Sequence, residues 1–183
     1  MIYKTKAIYW LRKSVESERG ESGVYDAKVY GVLGGLLFQE GPCQDIEESM
    51  IWTRKAAEKG DATSQERLGL MYWLGDGVAK DYGMAVTWLD RAARRGRPKA
   101  QFALGICYKS GIGVKKNDEF AFYFIRESAE QGLAASQFQL GNMYEDGIGV
   151  AKDEVVANEW YIKAAKNGEK EAQEKLRQKG VAW

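Results

Sequence analysis

Shifted by 36 residues, the chain aligns with itself without a gap. A chain that repeats one short unit buries its apolar surface by stacking copies of that unit. Trp52, Trp88, Phe124 and Trp160 fall in one column, and Ala57, Ala93, Ala129 and Ala165 in another. Gly60, Gly96, Gly132 and Gly168 align, as do Gly41, Gly77, Gly113 and Gly149. A fifth column holds Asp45, Asp81, Asn117 and Asp153. Four units therefore run 28–63, 64–99, 100–135 and 136–171. Residues 7–15, AIYWLRKSV, match the second half of a unit and put Trp10 in the tryptophan column. Trp10 and Trp52 stand 42 residues apart, so a six-residue insertion is expected between them, within ESERGESG. AQEKL, residues 172–176, restarts a first half. The expected organisation is one solenoid domain over 1–183. Its parts are an N-terminal cap helix and inserted loop in 1–27, the four units, and a C-terminal cap helix in 172–183.

Each unit reads as two helices. In the second unit Ser64, Leu68, Met71 and Tyr72 share one face at helical spacing. Gly75 and Gly77 then permit positive φ, which ends the helix and turns the chain. Asp81 is placed to cap the next helix, and its column contains only Asp and Asn. Ala85, Trp88, Leu89, Ala92 and Ala93 form the stripe of that second helix, where small alanines allow close approach. Gly96 supplies the residue after it. One hairpin cannot bury such a stripe alone. The expected class is thus all-α, a right-handed α/α solenoid of stacked helical hairpins. The first unit is the least regular: Leu33, Leu36, Gln39 and Pro42 stand where the others have Gly, Tyr, Gly and Val.

Composition removes several kinds of chemistry. There is no histidine, so Ser-His and Cys-His nucleophiles, imidazole bases and His-containing zinc sites are all absent. Two cysteines, Cys43 and Cys107, make neither a four-cysteine metal site nor a disulfide framework. Net charge is +1, which gives no global field toward nucleic acid or anionic lipid. No stretch approaches the ~20 apolar residues of a membrane helix. The start, MIYKTKAIYWLRKSV, is too interrupted by charge for a signal peptide. The chain as given reads as cytoplasmic, or as periplasmic or secreted if an export signal has been removed. GDGV at 75–78 lacks the GK[ST] of a phosphate loop and the alternating acids of a calcium loop. No cofactor or metal is expected.

The segment LGLMYWLGDGVAKDYGMAVTWLDRAARRG resembles a Sel-one-like repeat, a relative of the tetratricopeptide repeat. LGICYKSGIGVKKNDEFAFYFIRESAEQG and LGNMYEDGIGVAKDEVVANEWYIKAAKNG are similar to it. The resemblance implies a non-catalytic scaffold that binds a protein or peptide on its concave face. Some bacterial members act as immunity proteins against secreted toxins, which is the alternative role. A third is the penicillin modification described for cysteine-rich members, whose hallmark is a cysteine pair bracing each repeat. Here Cys43 and Cys107 belong to non-adjacent units, beyond the ~7 Å Cα separation a disulfide tolerates. The expected state is a monomer, with weak end-to-end pairing as the other possibility.

By the same resemblance, the first helices of successive hairpins line the concave face. The residues turned from Leu68 and Tyr72 are Thr63, Glu66, Leu70, Trp73 and Leu74. The equivalents are Ala27, Tyr30, Gly34, Leu37 and Phe38; then Lys99, Phe102, Ile106, Lys109 and Ser110; then Ala135, Phe138, Asn142, Glu145 and Asp146. The partner-binding set expected from these is Tyr30, Phe38, Glu66, Leu70, Trp73, Phe102, Ile106, Lys109, Phe138, Asn142 and Glu145. Rings beside charges suit a peptide groove. Trp10, Trp52, Trp88 and Trp160 are assigned to the structural column, which leaves Trp73 and Trp183 over. The basic run Arg94, Arg95, Arg97 and Lys99 reads as a solvated helix end. Cys107, in the column of Met71 and Met143, reads as a buried thiol, and Cys43 as a loop residue.

Overall fold

A computed structural model describes residues 2–17, 27–39 and 44–183. The insertion expected within ESERGESG, and the expectations for Gly41, Pro42 and Cys43, lie outside the described residues. These contain ten helices and no strand: α1 (Ile2–Ser17), α2 (Ala27–Phe38), α3 (Ile46–Glu58), α4 (Ala62–Leu74), α5 (Tyr82–Ala93), α6 (Pro98–Ser110), α7 (Asp118–Glu130), α8 (Ala134–Asp146), α9 (Glu154–Lys166) and α10 (Lys170–Lys179). The chain divides into two compact units, Met1–Arg91 and Ala92–Trp183.

The expected caps form. Asp45, Asn117 and Asp153 accept hydrogen bonds from the Glu48, Phe120 and Val156 amides, and Asp81 accepts one from Met84 at 2.9 Å. Each such side chain satisfies an amide that the helix start leaves unpaired. Gly75, Gly111 and Gly147 end α4, α6 and α8 in the left-handed region. Gly149 has a second constraint besides its φ of +67°: a Cβ there would run into the Asp118 carbonyl. Only glycine lets that loop lie on the start of α7.

In the first unit, α1, α2 and α3 share a core of Ile8, Val15, Tyr30, Leu33, Leu37, Trp52 and Ala56. A second cluster joins Met50 and Ala57 to Leu68, Met71, Tyr72, Ala85 and Trp88. In the second unit, Ala121, Ile125, Ala129, Leu140 and Met143 form one core. Ala157, Tyr161, Ala164, Ala165, Ala172 and Leu176 form the next. Between hairpins a buried glutamine repeats the same bond. Gln65, Gln101 and Gln137 donate to the Ala57, Ala93 and Ala129 carbonyls at 3.0, 3.3 and 3.2 Å. Gln173 donates to Ala165 at 3.1 Å. Each bond satisfies a carbonyl at the end of the preceding helix.

Two sequence expectations are corrected here. The 36-residue alignment pairs Leu33 with Gly69 and Leu36 with Tyr72, but α2 sits one residue out of that register. The Asp45 amide bonds the Leu37 carbonyl, as Asp81 bonds Tyr72, Asn117 bonds Tyr108 and Asp153 bonds Tyr144. Leu33 is fully buried like Leu68, Leu104 and Leu140, whereas Val32, which the unbroken alignment pairs with Leu68, is 53% exposed. Gly34 takes the place of Gly69. The turn after α2 is one residue short, and the core position of Leu33 decides the register.

Trp10 is the second correction. It is 63% exposed, edge-on to Tyr9 at 5.3 Å with Lys13 over its ring, rather than in the core. Trp52 stacks on Tyr30 of the helix before it at 5.6 Å, and no described helix offers Trp10 such a ring. Trp183 is 48% exposed.

Cys107 is fully buried, and burial pushes its thiol up to about 11. A protonated, covered thiol is inert. In a Cys43→Ser protein, a disulfide reagent at pH 8 is expected to find no thiol until denaturant is added, then one. Full labelling of the native protein would place Cys107 at the surface.

Candidate functional site

The two units treat their outward helix faces differently. In the first unit the face is made by α2 and α4. The one-residue displacement of α2 moves one expected site residue, Tyr30, inward. Tyr30 occupies the position of Gln65 and Gln101, and is stacked on Trp52 in the core rather than facing a partner. Gly34 and Leu37 are buried with it. Glu66 is also buried, 7% exposed, so it does not form part of an open rim.

Phe38 and Trp73 become equivalent positions in the corrected register. Both are half-buried against the Met50, Leu68 and Tyr72 cluster. Trp73 meets Tyr82 edge to face at 5.0 Å. Leu70 is half-buried, Leu74 is 58% exposed and Tyr82 39% exposed. Together these side chains form an apolar patch on α4, α2 and the start of α5. Beside it, between α2 and α4, lies a hollow of about 380 Å³ whose lining includes Lys28, Gly31, Gly35, Asp61 and Arg67. The unbroken alignment missed Lys28, Gly31 and Gly35. Matching Leu33 to Leu68 would have found them, because that shift puts Gly31 and Gly35 opposite Glu66 and Leu70.

In the second unit the expected residues are largely held by their own chain. Phe102 and Ile106 are half-buried, Ile106 against the Ile125 core. Lys109 donates to Gln139 at 3.3 Å. Phe138 packs on Tyr161, ring centres 5.6 Å apart. The Tyr161 hydroxyl donates to Asn142 at 2.8 Å or to Glu145 at 3.0 Å. Glu145 also pairs with Lys175 and Lys179, each at 2.6 Å. Burial raises the Glu145 carboxyl, but bonds from the two lysines and Tyr161 outweigh that and hold it at about 2. Burial and the adjoining carboxylate raise Tyr161. Glu145 thus ties α10 to α8, and Asn142 holds Tyr161 of α9.

The basic run falls at the turn between α5 and α6, where Arg94, Arg95 and Lys99 are exposed. Among the described residues no group of three or more Asp, Glu, Cys or His gathers as a metal site. No described helix is long and apolar enough to cross a membrane.

Ten helices in repeated hairpins, with one cap and one glutamine bond recurring, define an α/α repeat solenoid. The Sel1 repeat model matches residues 4–17, 32–61, 62–96, 98–133 and 134–169, and the chain belongs to that family. Sel1 repeat proteins are generally non-enzymatic protein-interaction modules. The structure is similar to a protective antigen of uropathogenic Escherichia coli with an SLR fold. The two share 36% identity and a TM-score of 0.82 over 95% of this chain and 37% of that one. A Sel1 repeat protein from Oxalobacter formigenes shares 34% identity and a TM-score of 0.78, over 94% of this chain and 48% of that one. The chain spans less than half of either protein. Helicobacter pylori cysteine rich protein B shares the fold at 22% identity and a TM-score of 0.57, over 73% of this chain and 96% of that one. This chain has only two cysteines. Among curated proteins nothing matches.

Proposed function

We propose that the protein is an adaptor that binds a peptide or protein segment on the α2–α4 face of its first unit. The observation that carries this reading is the patch around Trp73. A half-buried indole is flanked by Leu74 at 58% exposure and Tyr82 at 39%, beside an unfilled hollow. A held aromatic with exposed apolar neighbours supplies binding area at low ordering cost. The second unit's equivalent positions support the choice by contrast, since Lys109, Asn142 and Glu145 already have partners within the chain.

The test is a paired capture with wild type and Trp73→Ala/Leu74→Glu, followed by affinity measurement on the purified pair. Circular dichroism must first show the variant folded. The expected loss is at least tenfold in affinity, as for an anchor at the centre of an interface. Unchanged affinity in the folded variant would remove the site. The partner then decides the role. A micromolar extended peptide fits an adaptor, whereas a folded toxin bound at nanomolar strength over ~1,600 Å² fits an immunity protein.

A further inference from the structure

The hollow between α2 and α4 has an unusual floor. Gly31 and Gly35 are one helical turn apart on α2 and bring no side chains to it. A Cβ at Gly35 would come within 2.8 Å of the Arg67 guanidinium, and one at Gly31 within 2.8 Å of the Ser64 hydroxyl. The space that side chains would fill is left to Arg67. That guanidinium donates to the Gly31 carbonyl at 3.2 Å, the one hydrogen bond it makes among the described residues. Guanidinium carries five N–H donors and stays charged inside proteins. Burial lowers its affinity for the proton, while Asp61 and Glu66 act in the other direction. A partly desolvated cation with most donors unused, facing an open hollow, is matched by an anion that accepts two parallel hydrogen bonds. The combination is local: the column of Arg67 continues as Ala103, Gln139 and Lys175. In the corrected register the positions of Gly31 and Gly35 are filled by Phe102 and Ile106, and by Phe138 and Asn142.

We propose that this hollow takes an acidic side chain of the bound partner, its carboxylate on Arg67 with Lys28 at its edge. The proposal rests on the interaction reading above and names the chemistry of its ligand. Charge sets the class. Asp61 and Glu66 already surround Arg67 with negative charge, which suits a monoanion better than a phosphate carrying about −1.5 to −2.

The full chain, labelled with ¹⁵N, is titrated with N-acetylglutamic acid α-amide. N-acetylglutaminamide serves as the neutral isostere and inorganic phosphate as the dianion. The expected result is saturating shifts of the Gly31 and Gly35 amides and the Arg67 Nε–H, with a dissociation constant on the order of millimolar. The neutral isostere should bind at least tenfold more weakly. Arg67→Gln should abolish the shifts. Gly35→Leu should abolish them as well, by filling the hollow while the flexible arginine moves aside. Trp73→Ala should leave them unchanged, which separates this site from the apolar patch. Equal binding of the neutral isostere, tighter binding of phosphate, or shifts that survive in folded Arg67→Gln or Gly35→Leu would overturn the proposal. A partner lost by Trp73→Ala/Leu74→Glu yet retained at full affinity by Arg67→Gln would leave the interaction reading standing and remove the carboxylate. Probe binding that depends on Arg67, with a partner indifferent to the Trp73 patch, would do the reverse.

Discussion

Replacing Gly141 with alanine is expected to destabilise the second unit by about 3 kcal/mol. The cause is close approach of α8 and α9. A Cβ on Gly141 would meet the Tyr161 ring at 2.5 and 2.6 Å and the Ala157 carbonyl at 3.1 Å. Ordinary carbon contacts lie at 3.5–4.0 Å, so either the helices separate or the ring moves. The ring has little room to move. Tyr161 is fully buried, and its hydroxyl is held at Asn142 and Glu145. Gly69 is more forgiving: the Ala85 carbonyl faces it at 3.2 Å, but its nearest contacts, at 2.8 and 3.0 Å, are to the Leu89 side chain, which no hydrogen bond holds. Thermal unfolding should therefore fall by roughly 6–12 °C for Gly141→Ala. Tyr161→Leu, which installs the residue found at position 89, should recover part of the loss when combined with it. The double-mutant cycle isolates that coupling. A Gly141→Ala protein as stable as wild type would show that the helices do not pack at this distance.

That contrast indicates how far the fold could be read from residues alone. The column of Gly69, Gly105 and Gly141 and the column of Asp and Asn caps are local requirements, of close approach or an unpaired amide. Local requirements repeat wherever the unit repeats, so spacing exposes them. The displacement of α2 was hidden for a different reason. Asp45 stays in register with Asp81, while Leu33 falls opposite Gly69 instead of Leu68 in the unbroken alignment. A missing residue in one turn therefore looks like a degenerate unit. Burial of Leu33 resolves it, and with it the fate of Tyr30, which trades a groove for the core. Trp10 misled for a third reason. Trp52 is covered by Tyr30 and Phe124 by Tyr108, each from the preceding helix, and a column cannot report on a neighbour. Of the proposed site, Trp73 and Phe38 could be named from spacing, because their orientation depends on their own helices. The roles of Asn142 and Glu145 were not legible in this way. Tyr161, Lys175 and Lys179 reach those residues from elsewhere in the chain, and no spacing rule joins the five.

Glu145→Ala is expected to cost about 2 kcal/mol of local stability, concentrated in α10. That helix is strongly polar and buries only Ala172 and Leu176, so its own sequence does little to hold it in place. Besides the Gln173 bond to the Ala165 carbonyl and the Lys179 bond to Asn158, it is fastened by one carboxylate, which Lys175, Lys179 and the Tyr161 hydroxyl share. Removing the carboxylate leaves two lysines one turn apart over the same ring, 5.5 and 5.8 Å from its centre, without the ion pair that held both. Amide exchange in residues 170–179 should quicken by about 30-fold, since 1.4 kcal/mol is a factor of ten. The pH dependence follows from the depressed carboxyl. A group held at about 2 when folded and 4.5 when unfolded stabilises the fold fully above pH 4.5. That contribution fades as the pH falls from 4.5 toward 2. Wild type should therefore lose stability through that window more steeply than Glu145→Gln, which has no charge there to lose. Parallel acid profiles for the two proteins would show that Glu145 is not paired in solution, and unchanged exchange in α10 would show that something else holds the helix.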